Sequence, residues 1–129
     1  MCHSIYNLPM PILDVDIVGA TDLDLAQKIA DAAGRVFQTP PGETWVRLRS
    51  PAAYAENGGT LPEGVRPVFV SVLQAQPPTG EALTLEVSAL TDAVAHACGR
   101  PPENVHVLYE PATLGRIAFG GRLVAEAGS

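Results

Sequence analysis

The feature that most constrains the fold of this chain is an internal repeat. An alternating strand, a helix, a Pro-Pro pair and a second alternating strand occur twice in the same order, about sixty residues apart. The two helices begin after Thr21 and Thr79, and the two Pro-Pro pairs are residues 40–41 and 101–102. Because parallel strands joined by a helix form a right-handed crossover, each copy predicts one β-α-β unit.

In the first half, residues 11–18 alternate between apolar side chains and aspartates, which predicts a strand with one polar face. Thr21 and Asp24 have the spacing of a capping box, which predicts the start of a helix. Apolar residues at helical spacing extend this helix to about Gln38. Residues 43–50 alternate again and predict the second strand.

The second half follows a Gly- and Pro-rich loop over residues 51–66, in which residues 57–59 (Asn-Gly-Gly) predict a tight turn. Residues 67–76 predict a strongly apolar strand. A helix with one apolar face comes next, and Gly99 predicts its end. Residues 103–110 predict the fourth strand.

Two such units predict an α+β fold of two layers, in which a four-stranded sheet carries both helices on one face. The chain has no further helix to cover the other face, so we expect other subunits to cover it. Residues 1–10 are interpreted as an N-terminal extension or the product of a misassigned start. Residues 11–129 are expected to form a single domain, whose halves are residues 11–50 and 67–110.

Charge and composition limit the partners of this domain. The 129 residues carry a net charge of −6, which argues against nucleic acid or an anionic membrane as the main partner. No apolar run approaches the roughly 20 residues that span a bilayer, and no signal peptide is evident, so we expect a cytoplasmic protein. The three histidines and two cysteines lack metal-ligand spacing, so no metal site is expected.

Two segments resemble the tautomerase superfamily. Residues 10–18 (MPILDVDIV) resemble its Met-Pro start, which continues as a strand. Residues 101–124 resemble the end of the 4-oxalocrotonate tautomerase unit, including a Gly-Gly-x-Leu turn at residues 120–123. The duplicated length is similar to macrophage migration inhibitory factor and to the malonate semialdehyde decarboxylase branch. The resemblance extends over residues 10–124 and implies a homotrimer.

The resemblance also implies a reaction without a cofactor. In this superfamily an N-terminal proline is the general acid/base, and cationic side chains bind the carboxylate of a small substrate. Carried onto this sequence, Pro11 is the catalytic base, and the substrate-binding residues are Arg47, His106, Arg116 and Phe119. The implied activity is keto–enol tautomerisation of a small 2-keto or enol acid. The site residues are expected to come from more than one subunit.

Other interpretations of these residues remain open. Arg47 and Arg116 are also explained as solvated surface cations, His106 as a half-buried structural histidine, and Phe119 as an aromatic residue of the trimer contact. His106 is a candidate acid/base should Pro11 be inert. The segment after the third strand, residues 74–79, lacks the arginine pair of the dehalogenase and decarboxylase members, so those activities are less expected. The first-strand exit, residues 19–21, also lacks the arginine found there in 4-oxalocrotonate tautomerase, which indicates a smaller or less anionic substrate.

The main departure from the superfamily pattern is the position of Pro11, which follows ten residues rather than one. The nitrogen of a proline inside a chain is an amide without basicity. Catalysis through Pro11 therefore requires a start at Met10 or removal of residues 1–10. A retained extension predicts instead a non-catalytic trimer that binds a ligand or a partner.

Overall fold

The computed structural model describes residues 11–19, 22–59 and 66–125, so the predicted extension over residues 1–10 lies outside the described residues. It contains the predicted elements in the predicted order. These are β1 (Ile12–Ile17), α1 (Leu25–Phe37), β2 (Trp45–Arg49), β3 (Val68–Leu73), α2 (Gly80–Cys98), a 3₁₀ turn (Pro102–Asn104), β4 (Val105–Tyr109), β5 (Ala118–Phe119) and β6 (Arg122–Leu123).

The first four strands form one sheet in the order β2-β1-β3-β4. Strand β1 is parallel to β2, and β3 is parallel to β4, as a helix crossover requires within each half. The halves meet through the antiparallel pair β1–β3, in which Ile12 lies opposite Leu73 and Ile17 opposite Val68. The predicted fold of two β-α-β units in two layers is confirmed.

The hydrophobic core lies between the sheet and the helices. Leu13, Val15 and Ile17 point toward the helices, and Ile29 of α1 and Leu90 of α2 pack against the sheet. All five are at most 1% exposed.

Strand side chains alternate between two faces of the sheet, so the strand residues that point away from the helices form a second face that no described helix covers. We call this the open face; it comprises Ile12, Asp14, Asp16, Trp45, Arg47, Arg49, Phe69, Ser71, Leu73, His106 and Leu108.

The helix ends differ in part from the sequence prediction. Helix α1 begins at Leu25 with Asp24 at the N-cap, where the Asp24 side chain makes no capping hydrogen bond. The predicted capping box is therefore wrong for Asp24, and its other member, Thr21, lies outside the described residues. The predicted stop at Gly99 is confirmed, since Gly99 is the left-handed C-cap of α2.

Two strand limits also differ from the prediction. Strand β3 ends at Leu73 because the backbone bends there, and the next two carbonyls accept hydrogen bonds from the C-terminal loop at residues 113–114. Strand β4 begins at Val105 because residues 102–104 form a 3₁₀ turn. The predicted tight turn at residues 57–59 is confirmed by a bridge between Glu56 and Gly59.

Strands β5 and β6 form a short C-terminal hairpin. Its turn, Gly120-Gly121, has φ values of 59° and 85°, which a glycine pair adopts without steric cost. The chain from β4 to this hairpin lies at the end of the sheet where β1 begins. Neither described helix is long and apolar enough to cross a membrane.

Candidate active site

Pro11 directly precedes β1 and is buried. Its carbonyl oxygen accepts a hydrogen bond of 3.1 Å from the backbone N–H of Trp45 at the start of β2. In the β1–β3 register, Ile12 lies opposite Leu73, so Pro11 lies beside the end of β3. Pro11 is thus held at one end of the central strand pair, and we call this the proline end of the sheet.

Two aromatic residues meet at the proline end. The rings of Trp45 and Phe119 are in edge-to-face contact, with their centroids 5.5 Å apart. The Trp45 indole N–H donates to the Gly42 carbonyl at 2.9 Å, which fixes the orientation of the ring. Because Trp45 pairs with Ile12, its side chain lies on the same face as Ile12 and, with Phe119, places apolar surface at the end of the sheet that holds Pro11.

The C-terminal loop reaches the same end. The backbone N–H groups of Thr113 and Leu114 donate to the carbonyls of Gln74 and Ala75, which follow β3. Arg116 continues this loop, and its side chain is exposed. One guanidinium nitrogen lies 3.4 Å from the Ala112 carbonyl. The predicted residues Pro11, Arg116 and Phe119 therefore share one end of the sheet.

Sequence analysis did not identify two polar side chains at this end. The Oε1 atom of Gln74 and the Oγ1 atom of Thr113 are buried without a hydrogen-bond partner in the described part of the chain. A buried polar group without a partner costs on the order of 1–3 kcal/mol. Such groups need water, a ligand or another chain to satisfy them. No sequence pattern marked either residue, because Gln74 falls within residues 67–76, the predicted third strand, and Thr113 belongs to no motif.

Arg47 lies on the open face and is already paired. Its Nε and Nη2 atoms donate to the two carboxylate oxygens of Asp14 at 2.5 and 2.8 Å, across the β1–β2 pair. The Arg47 side chain is 62% exposed, and that of Asp14 is 19% exposed. The hydrogen bonds that Arg47 donates to Asp14, together with the negative charge of Asp14, raise the pKa of Arg47. The sequence contained both residues, but their pairing depends on strand register.

His106 lies on β4, in an aromatic cluster on the open face. Its ring centroid is 5.4 Å from that of Phe69, which in turn lies 5.9 Å from that of Tyr54. Phe69 pairs with Asp16, five residues along β1 from Pro11. At about 3.3 Å per residue and 4.8 Å per strand, His106 lies roughly 19 Å from Pro11 within one chain.

One chain therefore brings together only part of the predicted site. Arg47 and His106 share the open face but lie three strand spacings apart, about 14 Å. A groove of about 730 Å³ lies between α1 and the segment that leads into β2. Its lining includes Trp45 and Val46 but none of the five predicted site residues. In the described ranges, no group of three His, Cys, Asp or Glu side chains is arranged to hold a metal ion.

Solved structures with the same architecture belong to one superfamily. Pt0534 inactivated by 2-oxo-3-pentynoate superposes with a TM-score of 0.72 at 16% identity, over 92% of this chain and 99% of that one. A macrophage migration inhibitory factor homologue from Prochlorococcus marinus gives 0.67 at 17% identity, over 88% and 98%. A fused 4-OT, solved as a symmetric trimer, gives 0.64 at 19% identity, over 90% and 97%.

The chain has the tautomerase-superfamily fold. No protein-family model matches the sequence, and a comparison with curated protein sequences gives no match. At identities below 20%, the likeness to these three structures is one of fold. The shared architecture confirms the fold that the resemblance at both ends of the sequence implied, whereas the roles of individual residues rest on their geometry.

Proposed function

We propose that this protein is a cofactor-independent keto–enol tautomerase that acts on a small 2-keto or enol acid. In this proposal the general acid/base is the secondary amine of Pro11, in a chain that begins at Pro11. The amine takes a proton from the carbon or oxygen of one tautomer and returns it to the other position. Neither step needs a metal or an organic cofactor.

The observation that carries the proposal is the burial of Pro11 at the proline end of the sheet. A free α-amino group has a pKa of about 7.7–8.0 in water. The burial of this position disfavours the charged ammonium form of the amine and lowers its pKa. An amine whose pKa is near neutrality is well suited to both accept and donate a proton at physiological pH.

We propose that Arg116 binds the substrate carboxylate and that Phe119 forms an apolar wall beside it. Both lie in the segment that reaches the proline end. Pt0534, which has the same fold, was inactivated by 2-oxo-3-pentynoate, a 2-keto acid. That similarity supports a 2-keto or enol acid as the substrate class of this chain.

The proposed assembly is a homotrimer with sites between subunits. The fused 4-OT of the same fold was solved as a symmetric trimer. Within one chain Arg47 and His106 lie far from each other, and His106 lies far from Pro11. In the trimer, Arg47 and His106 are proposed to come from neighbouring subunits and to polarise or bind the substrate.

The proposal predicts that catalysis depends on a free Pro11 nitrogen. A protein expressed from Met10, and therefore beginning at Pro11 after methionine removal, is expected to convert phenylenolpyruvate to phenylpyruvate. The matched Pro11→Ala protein is expected to lose about 10²-fold or more in kcat/KM, the usual contribution of a general acid/base. The rate is measured from the loss of enol absorbance, and full activity in Pro11→Ala would contradict the role of Pro11.

A second candidate function is a trimer without catalysis that binds a ligand or partner. The observation that favours it is that, in the 129-residue chain, Pro11 follows Met10 through a peptide bond and has no basic nitrogen. Measuring the intact mass and the N-terminal sequence of the protein from its native cell distinguishes the tautomerase from the binding protein. A chain that begins at Pro11 supports the tautomerase, and a chain that retains residues 1–10 supports the binding protein.

A further inference from the structure

Two ion pairs cross the open face side by side, and they differ in strength. Arg47 binds Asp14 through two hydrogen bonds, and only 19% of the Asp14 side chain is exposed. The next pair along the strands, Arg49 and Asp16, has one contact of 3.4 Å, and both side chains are about half exposed. The two pairs thus have the same charges but different geometry.

The bidentate pair changes what Arg47 offers to a ligand. A guanidinium carries five N–H donors, and Asp14 occupies two of them. The remaining donors still face solvent, but a carboxylate that approaches them also meets the negative charge of Asp14. Arg47 in this state provides hydrogen bonds without a net positive charge.

Arg116 differs from Arg47 in this respect. Its guanidinium contacts the Ala112 carbonyl, and in the described ranges no carboxylate forms an ion pair with it. Arg116 therefore retains its full charge. Of the two arginines assigned to the site, one is neutralised and one is not.

We propose that Asp14 is a specificity-determining residue, which neutralises Arg47 and thereby restricts the site to acids with a single carboxylate. This inference rests on the proposed tautomerase site and names its substrate class. A monocarboxylate is held by Arg116, and the Arg47–Asp14 pair donates hydrogen bonds to an uncharged keto or enol oxygen. A dicarboxylate places its second charge against Asp14 and is excluded.

The inference is tested by binding rather than by turnover. Hexanoate and adipate have six carbons each and differ only in the second carboxylate, and neither can tautomerise. Trp45 is the single tryptophan of the chain and lies two residues from Arg47 on the same face, so its fluorescence reports binding in the full-length protein. The measured quantity is the ratio of adipate affinity to hexanoate affinity.

In Asp14→Asn this ratio is expected to rise about tenfold, because Arg47 becomes an unpaired cation that can bind the second carboxylate. Asp16→Asn is the matched control, with the same change of charge in the adjacent pair, and its ratio is expected to change by less than about twofold. The double variant Asp14→Asn/Arg47→Gln restores the native net charge and is expected to return the ratio to its native value.

The inference is overturned if the ratio in Asp14→Asn stays at the native value, or if Asp16→Asn raises it equally. It is also overturned if neither acid quenches Trp45 in any of these proteins. Should Asp14→Asn unfold, Arg47→Gln keeps the inference testable: it leaves Asp14 as an unpaired anion, so its ratio of adipate to hexanoate affinity is expected to fall below the native value, and an unchanged ratio would overturn the inference. Since neither acid reacts, an inactive Pro11 would leave these results unchanged and would be recognised separately by the enol assay.

Discussion

At the scale of single residues, the two long helices end in the same way with different side chains. Gln38 at the C-cap of α1 has φ 57°, and Gly99 at the C-cap of α2 has φ 66°. The left-handed region costs a residue with a Cβ about 1 kcal/mol, whereas glycine adopts it freely. Helix α1 therefore carries a strain at Gln38 that α2 avoids.

Substitutions at these two caps are expected to change stability in opposite directions. Gln38→Gly should raise the free energy of unfolding by about 0.5–1 kcal/mol because the strain is removed. Gly99→Ala should lower it by about 1 kcal/mol. A Cβ at Gly99 meets no atom within 4 Å, so its cost would come from the backbone alone. Urea denaturation at one protein concentration measures both, and a shift of the same sign in both proteins would contradict the argument.

At the scale of secondary-structure elements, helix α2 packs into the core through a narrow apolar face. Leu90 and Val94 of α2 are fully buried in the core, whereas Leu85 of the same helix is 65% exposed. The position of a leucine around the helix axis, rather than its presence in the helix, thus decides its contribution to stability.

The matched pair Leu90→Ala and Leu85→Ala tests this packing. Leu90→Ala is expected to lower the free energy of unfolding by about 3 kcal/mol through lost burial and an internal cavity. Leu85→Ala is expected to change it by less than about 0.5 kcal/mol, since the side chain is exposed and alanine favours the helix. Thermal and urea unfolding give both values, and equal losses would show that α2 is packed differently.

At the scale of the whole molecule, the open face leaves apolar side chains in solvent. Trp45, Phe69 and Leu108 are among the most exposed large apolar residues, and all three lie on this face. Leu108 on β4 is 60% exposed. Several large apolar side chains exposed on one face of a sheet favour an interaction surface there. We therefore expect it to be covered in the proposed trimer.

Assembly is expected to depend on this face. Sedimentation at micromolar concentration should give a trimer for the native chain, and Leu108→Asp should shift it toward the monomer because a buried charge is costly. Leu23→Asp is the matched control, since Leu23 is exposed on the turn before α1 and belongs to none of the strands that form the open face. A native monomer, or equal dissociation in both variants, would contradict the proposed trimer.

Much of the architecture was predictable because it depends on local patterns. The strands were predicted from the alternation of apolar and polar residues over 11–18 and 43–50, and the end of α2 was predicted from Gly99. Each of these signals depends only on residues that are close along the chain. The start of α1 was predicted three residues too early because Asp24 was assigned to the first turn and lies at the N-cap. The early end of β3 was not predicted, because bonds from the distant C-terminal loop stabilise the bend after Leu73.

The sequence alone determines the repeat of strand, helix and strand, because the hydrophobic periodicity that specifies each element extends over only a few neighbouring residues. The residues of the site are separated along the chain, so their meeting depends on register and topology. The antiparallel contact of β1 with β3 brings the C-terminal loop to Pro11, and the β1–β2 register pairs Asp14 with Arg47. These contacts determine which charged side chains remain unpaired and can bind a ligand. Only the tertiary structure brings the residues that make these contacts together.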